Sequence, residues 1–267
     1  MKLAFDIGAT HTRFALTDGI SLFDIQRIDT DRSPRGISVM LESVDDYLAG
    51  RSITAAAGGL PGQLDNETGR LGHTPNLPAW TGLRVGRQLQ QHWGVPLSIH
   101  NDTEVVGLGE ACFGGGMGHD IVAYMTVSTG VNGARIVNGH IEPSAHGFEL
   151  GAQLVAGPGG GMSTLEELTG GAALARKYGR PPALIHDKAL WHHEAGYLAS
   201  SLYATMLHWS PDIFVMGGSM MRDISVAEIA RDLHRLPKVY DAWPPIVRAR
   251  LDDDGGLYGA MALLRSM

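Results

Sequence analysis

Short apolar runs closed by glycine alternate along this chain with longer stretches whose apolar residues fall at helical spacing. Leu3, Ala4 and Phe5 form an apolar run, Asp6 ends it with a charge, and Gly8, Ala9 and Thr10 supply a tight turn. Residues 12–16 return as a second strand that stops at Asp18 and Gly19, so the pattern predicts an N-terminal hairpin. Residues 21–28 suit a third strand. Ser33 and Pro34 then open a helix with apolar residues at 37, 40, 41, 44 and 48. Residues 53–57 read as a buried strand leading into a bend from Gly58 to Gly62. A helix over 83–93 carries apolar residues at 85, 89 and 93, and a short strand over 96–99 delivers His100, Asn101 and Asp102 to the start of another helix. Strands and helices in this order predict a mixed α/β layer.

The second half repeats the logic of the first. Residues 125–139 run as an apolar strand into a Ser128-Thr129-Gly130 turn, return through Asn132 and Gly133, and end on Asn138-Gly139, a type I′ signature. A capping-box pattern from Ser163 to Glu166 predicts a helix start. A helix over 192–209 has apolar residues at 195, 198, 202, 206 and 209. A buried strand from 211 opens at Gly217-Gly218, and a final apolar helix follows an acidic turn at 252–254. Two small-residue hairpins about 120 residues apart predict a duplicated domain with a nucleotide between the halves. The glycine-rich stretch 112–118 marks the expected boundary. The domains expected are 1–113 with 250–267, and 114–249.

Composition narrows the class. At 267 residues, with 44% hydrophobic and 18% charged residues, the chain has enough material for a sizeable core. Its net charge of −7 argues against nucleic-acid or anionic-membrane partners. Cys112 is the only cysteine, which rules out an internal disulfide and a cysteine-cluster metal site. No signal-like or membrane-length apolar segment is present, so a cytoplasmic location is the expectation.

The candidate chemistry sits in the turns. Gly8 and Ala9 let backbone N–H groups approach a bulky anion, Thr10 and Thr12 add hydroxyls, and Asp6 stands where a phosphate-bound divalent cation needs an oxygen ligand. Two prolines stiffen the loop carrying Asn76, which can present its amide to a polar ligand. Asp102 follows a strand's C-terminal end and begins a helix. It suits either a helix cap or a base acting on a hydroxyl, with Asn101 holding a neighbouring hydroxyl. Glu149 reads equally as a solvated carboxylate, Glu166 as a capping residue, and Gly217-Gly218 as a plain turn or a bare surface for adenosine. The glycines at 156–161 lack the Lys-Ser/Thr that closes a Walker loop.

Together these stretches resemble the ROK family of sugar kinases, in the actin-like ATPase superfamily. Asp6-Ile-Gly-Ala-Thr-His-Thr-Arg resembles its first phosphate motif, Leu60-Pro-Gly62 its Pro-Gly segment, and Pro75-Asn-Leu-Pro-Ala-Trp80 its sugar loop. Asn101-Asp102 resembles its catalytic pair, Ser128-Thr-Gly-Val-Asn-Gly133 its second phosphate motif, Met216-Gly-Gly218 its adenosine motif, and 251–260 its closing stretch. The resemblance implies two RNase-H-like domains with ATP and sugar in the cleft. It implies Asp102 as general base, taking the proton of the 6-hydroxyl of a hexose or N-acyl-hexosamine, with Asn76, Asn101, Glu149 and Glu166 on the other hydroxyls. Thr10, Thr12, Thr129 and the backbone at Gly8 and Gly130 would hold phosphates, Asp6 would position Mg2+, and Gly217 and Gly218 would flank adenosine. Family members are often dimers, so a homodimer is possible. The chain departs from the family where Ala152 replaces a zinc-ligating histidine and 156–161 replace the cysteine-rich zinc loop, so no structural zinc is expected. A regulatory or sugar-binding ROK protein without kinase activity, and a phosphotransferase for a non-sugar acceptor, stay open as alternatives.

Overall fold

The computed structural model describes residues 1–65, 68–74 and 76–267. Pro75 of the expected sugar loop lies outside the described residues. In chain order the first elements are β1 (Lys2–Ile7), β2 (His11–Thr17), β3 (Leu22–Asp29), α1 (Gly36–Leu48), β4 (Ala56–Leu60), β5 (Leu64–Asp65), β6 (Arg70–Leu71), α2 (Val85–Trp93), β7 (Leu97–Asn101) and α3 (Asp102–Phe113). Then come β8 (Ile121–Val127), β9 (Val131–Val137), β10 (His140–Ile141), β11 (Leu154–Ala156), β12 (Met162–Thr164), α4 (Leu165–Thr169), α5 (Gly171–Tyr178) and α6 (Lys188–Trp209). The last are β13 (Ile213–Gly217), α7 (Val226–Leu233), β14 (Ile246–Arg248) and α8 (Gly255–Arg265).

The chain forms two compact units. The first comprises Met1–Phe113, Pro143–Gly147 and Asp253–Met267, and the second Gly114–Glu142 and Phe148–Asp252. Each holds a five-stranded sheet, ordered β3-β2-β1-β4-β7 in the first and β10-β9-β8-β13-β14 in the second. In both, the first three strands in sequence pair antiparallel and the last two add in parallel. The two units therefore share one topology, which is the duplication that the paired hairpins predict.

In the first unit, Ile37, Met40, Leu41, Val44 and Leu48 line one stripe of α1 and join Leu3, Phe5, Phe14 and Leu16 in the core. Trp80 is fully buried in the same cluster, its Nε1–H donating to the Ser33 carbonyl at 3.0 Å. On the other side, Ala4, Ala15, Ala55 and Ala57 pack with Val105 and Leu257, a small-residue face that lets α3 and α8 lie close to the strands. The helices themselves touch backbone to backbone: a Cβ on Gly259 would collide with the Val105 carbonyl.

The structure moves three expected boundaries. Gly58 and Gly59 lie inside β4, paired with β1 and β7, rather than in a bend after it. Their bare Cα atoms serve close approach by neighbouring side chains, so the strand runs on to Leu60. The capping box lies one residue later than expected. Ser163 is paired in the β11–β12 ladder, so Thr164 is the last extended residue. Its hydroxyl accepts the Glu167 N–H, and the Glu167 carboxylate accepts the Thr164 N–H. The helix expected over 192–209 starts at Lys188, because Asp187 caps it by accepting the Ala189 and Leu190 N–H groups. At the β9–β10 connection Asn138 and Gly139 both have positive φ, 51° and 72°, as a type I′ turn requires. Among the described residues no helix is long and apolar enough to cross a membrane.

In the second unit α6 packs its apolar residues around much of its circumference, among them Leu198, Leu202 and Met206. It also buries Glu194, which is 2% exposed and whose Oε2 has no hydrogen-bond partner. Burial pushes the Glu194 carboxyl up to about 8, against the pull of Lys177.

This packing makes three predictions. Gly259→Ala drives a methyl onto backbone that cannot rotate away, and should cost about 2–3 kcal/mol in denaturant melts followed by circular dichroism. Gly196→Ala, within α6 and with no atom nearer than 4.0 Å to the new Cβ, should instead stabilise by roughly 0.5–1 kcal/mol. For Glu194, the folded carboxyl titrates above the unfolded one, so the native chain binds more protons between pH 4.5 and 8. Its contribution to stability is therefore lost as pH rises through that window. Glu194→Gln should gain on the wild type steadily from pH 5 to pH 8, measured as the difference in unfolding midpoint; a difference that does not change with pH would refute the assignment.

Candidate active site

The first unit gathers its polar residues at the C-terminal ends of β1, β4 and β7, where ligands of open α/β sheets bind. Register places Asp6 opposite Gly59 on β4 and opposite Arg13 on β2. A Cβ on Gly59 would lie 2.9 Å from the Asp102 Cα and 3.4 Å from Asp6 Oδ1, so the bare backbone of β4 separates two carboxylates. Both titrate high. Burial, and then the charge of Asp6, push the Asp102 carboxyl up to about 7, while the Thr103 N–H pulls the other way. Burial pushes Asp6 up to about 6, and the Arg13 guanidinium, 3.8 Å from Asp6 Oδ2, opposes it. Arg13 is held in turn by Asp253 at 3.1 Å. Asp6 also lies against the first turn of α8, where a Cβ on Gly256 would collide with its carboxylate.

Asn101 accepts the Thr103 N–H through Oδ1 at 2.9 Å and donates from Nδ2 to the Gly62 carbonyl at 2.9 Å. It thus shares the capping of α3 with Asp102, whose Oδ1 accepts the same N–H at 2.8 Å. Gly62 packs on Thr74, two residues before Asn76, so Asn101 is tied through it to the loop that exposes the Asn76 amide. The Gly8–Thr10 turn is built from behind. Thr30 donates its hydroxyl to the Gly8 carbonyl at 2.8 Å and its N–H to the Thr10 carbonyl at 2.9 Å. Thr12 is 1% exposed and spends its hydroxyl on Thr30 at 3.0 Å, so it braces the turn while Thr10 stands open.

The second unit presents its own group of turns. At Ser128–Gly130 the Ser128 and Thr129 carbonyls accept the Gly171 and Ala172 N–H groups of α5, leaving the Thr129 side chain exposed. Glu166, relieved of capping by the one-residue shift to Glu167, accepts the Val131 N–H at 2.8 Å. Its Oε2 would lie 2.5 Å from a Cβ on Gly130. Glu149 is exposed just before a short 3-10 turn, Leu150–Ala152. Gly217 packs on the Tyr124 ring, and Gly218, at φ +92°, packs on Val127 and is open to solvent. Both glycines are thus required by packing alone.

Sequence reasoning missed Arg13 and Thr30. The first was recoverable, since a tight turn after Asp6 puts Arg13 directly across the ladder. Thr30 comes from beyond β3 and carries no local signal.

The ROK family model matches residues 2–267. The chain belongs to the ROK family. It is 28% identical, over 98% of its own length and 53% of the relative's, to the bifunctional enzyme NanE/NanK of Brucella melitensis biotype 1, so it spans about half the length of that relative. The structure of a ROK hexokinase from Thermus thermophilus superposes with a TM-score of 0.81 at 25% identity, covering 99% of this chain and 98% of that one. A ROK family glucokinase from Streptomyces griseus, solved with glucose and AMPPNP, shares the fold at a TM-score of 0.80 and 20% identity, covering 100% and 99% of the two chains. The mixed α/β architecture with two five-stranded sheets is thus that of the ROK kinases.

Proposed function

We propose that this ROK protein is an ATP-dependent sugar kinase that phosphorylates a hexose or N-acyl-hexosamine, at the 6-hydroxyl, with Asp102 as general base. The observation that carries this reading is the place of Asp102, directly after β7 at the start of α3 and across the bare backbone of Gly59 from Asp6, where its carboxyl is pushed up to about 7. A base that titrates near neutrality both accepts a proton and exists in the accepting form at working pH. The family match and the kinase relatives support the same reaction class.

In this reading Asp102 takes the proton of the attacking hydroxyl as its oxygen bonds to the terminal phosphorus of ATP. The bond from that phosphorus to the bridging oxygen breaks, and ADP leaves with the electron pair. Asn76, Asn101, Glu149 and Glu166 hold the remaining hydroxyls of the sugar. The backbone at Gly8 and Gly130, with the Thr10 and Thr129 hydroxyls, holds phosphate oxygens, and Gly217 and Gly218 flank adenosine. Asp6 fits a magnesium ion: it is a buried carboxylate whose charge Arg13 only partly offsets, and magnesium favours one or two carboxylates with retained water. The ion, when bound, supplies charge neutralisation on the phosphates. Among the described residues there is no group of three or more His, Cys, Asp or Glu that could hold a metal.

The test is ADP release with magnesium-ATP against a panel of hexoses and N-acylated amino sugars. One sugar should stimulate release, and Asp102→Asn should lower its kcat at least ~100-fold with the sugar KM little changed. Near-normal turnover in the variant would remove Asp102 from the role. No stimulation by any sugar would remove the kinase reading.

A further inference from the structure

The segment from Glu149 to Glu166 carries both second-unit glutamates that the proposed function sets on the sugar, and its two ends meet at one residue. Gln153 donates its N–H to the Leu150 carbonyl at 3.2 Å and accepts the Leu165 N–H at its own carbonyl at 2.8 Å. Its side chain is also fully engaged. Oε1 accepts the Ser201 hydroxyl at 2.8 Å, and Nε2 donates to Thr205 Oγ1 at 3.0 Å. Ser201 and Thr205 lie one turn apart on α6 and are 1% and 2% exposed. The hydroxyls of a helix interior commonly return to the helix's own carbonyls; here Thr205 donates to the Ser201 carbonyl and keeps an acceptor for Gln153.

This arrangement ties three things together. The first leg of the loop packs so tightly that a Cβ on Gly151 would collide with the Val131 carbonyl and lie 3.3 Å from the Glu166 Cβ. The second leg returns through β12 to Leu165, which is fully buried beside Glu166. Between them, the tip at 157–161 is held by its own turn, with the Gly157 N–H on the Gly161 carbonyl at 2.8 Å and the Gly160 N–H on the Gly157 carbonyl at 3.3 Å, while a Cβ at Gly159, Gly160 or Gly161 would meet open space. Neither leg is an interior strand of the main sheet, so its place relative to α6 depends on side chains.

We propose that Gln153 is a positioning residue for substrate: by bonding both the closing Leu165 amide and two buried hydroxyls of α6, it sets where Glu149 and Glu166 stand relative to each other. The proposal rests on the kinase reading for its kinetic consequence and on the hydrogen bonds alone for its structural one. Gln153 touches no reacting atom. Its loss should weaken sugar binding through the glutamates; the Ser128–Gly130 turn touches Glu166 at Gly130 but keeps the Gly171 and Ala172 amides of α5, and Gly217–Gly218 keeps its packing on Tyr124 and Val127.

The experiment uses the full chain with Gln153→Leu, which keeps the bulk and removes both side-chain bonds. A second variant combining Gln153→Leu, Ser201→Ala and Thr205→Val leaves no buried hydroxyl unpaired and guards against simple misfolding. In both, the sugar KM should rise on the order of tenfold while kcat and the ATP KM stay within about twofold. Amide exchange over 150–165, Leu165 above all, should quicken at least about tenfold while β8 and α6 keep their protection. An unchanged sugar KM, or sugar and ATP KM rising together with a lowered melting temperature, overturns the proposal. If the wild-type chain turns over no sugar on the panel, the kinase reading falls and the clamp stands or falls on exchange: unchanged exchange over 150–165 refutes it.

Discussion

Two carboxylates brought within reach of one glycine strand set the terms for the rest of the first unit. Burying Asp6 and Asp102 side by side is unfavourable for both charges, and each titrates high for that reason. Such a pair persists only where surrounding packing leaves it no alternative. Gly59 makes room between the two acids, Arg13 and the first turn of α8 face Asp6, and Asn101 and Thr103 hold the start of α3. The collision points on α8, Gly256 against Asp6 and Gly259 against Val105, are three residues apart on one helical face. The same close approach that covers Asp6 therefore packs α8 on α3, and a helix held further out would expose Asp6 to water.

The second unit shows what the same topology does without that constraint. In the ladder position of Asp6, Arg13 and Gly59 stand Thr126, Asn132 and Gly217. The glycine is kept and both charges are gone. A glycine there is explained by sterics in both copies, by Asp102 in one and by the Tyr124 ring in the other. Charge is a property of one copy. The duplicated sheet is a frame that places small-residue turns at strand ends, and acid chemistry has been added to only one of the frames.

How much of this is legible in the sequence depends on whether the signal is local. The stripe 37, 40, 41, 44, 48 locates α1 because helical periodicity is written in consecutive residues, and the Asn138-Gly139 turn is legible because both residues must adopt positive φ. The Gly8–Thr10 and Ser128–Gly130 turns and the Asn101-Asp102 pair are short local motifs, and the structure sets each at the end of a strand. The extent of β4 was not legible, because Gly58 and Gly59 look like a bend until Phe5 and Asp102 are seen pressing on them. The capping box is ambiguous by design of the sequence: Ser163 to Glu166 and Thr164 to Glu167 both satisfy the spacing. Only the end of the β11–β12 ladder, at Thr164 opposite Leu154, decides between them. The side chains of Gln153, Thr30 and Glu194 are defined by hydrogen-bond partners 18 to 52 residues away or by none, and nothing beside them in the chain marks them.

The one-residue shift of that capping box has a chemical consequence. Had Ser163 and Glu166 formed the cap, the Glu166 carboxylate would have been spent on its own helix start, as Glu167 is. With the box at Thr164 and Glu167, Glu166 points instead to the first amide of β9, beside Gly130. A carboxylate that accepts one backbone N–H retains lone pairs for further donors. The hydroxyls of a sugar are such donors, whereas phosphate oxygens would be repelled. Glu166 therefore gives the β8–β9 turn an edge that favours hydroxyls beside the bare amides that favour anions. In the proposed kinase reading a phosphoryl donor and a hydroxyl acceptor need such a boundary between them if each is to be held in its own place, and it would be drawn by which of two adjacent glutamates closes the helix.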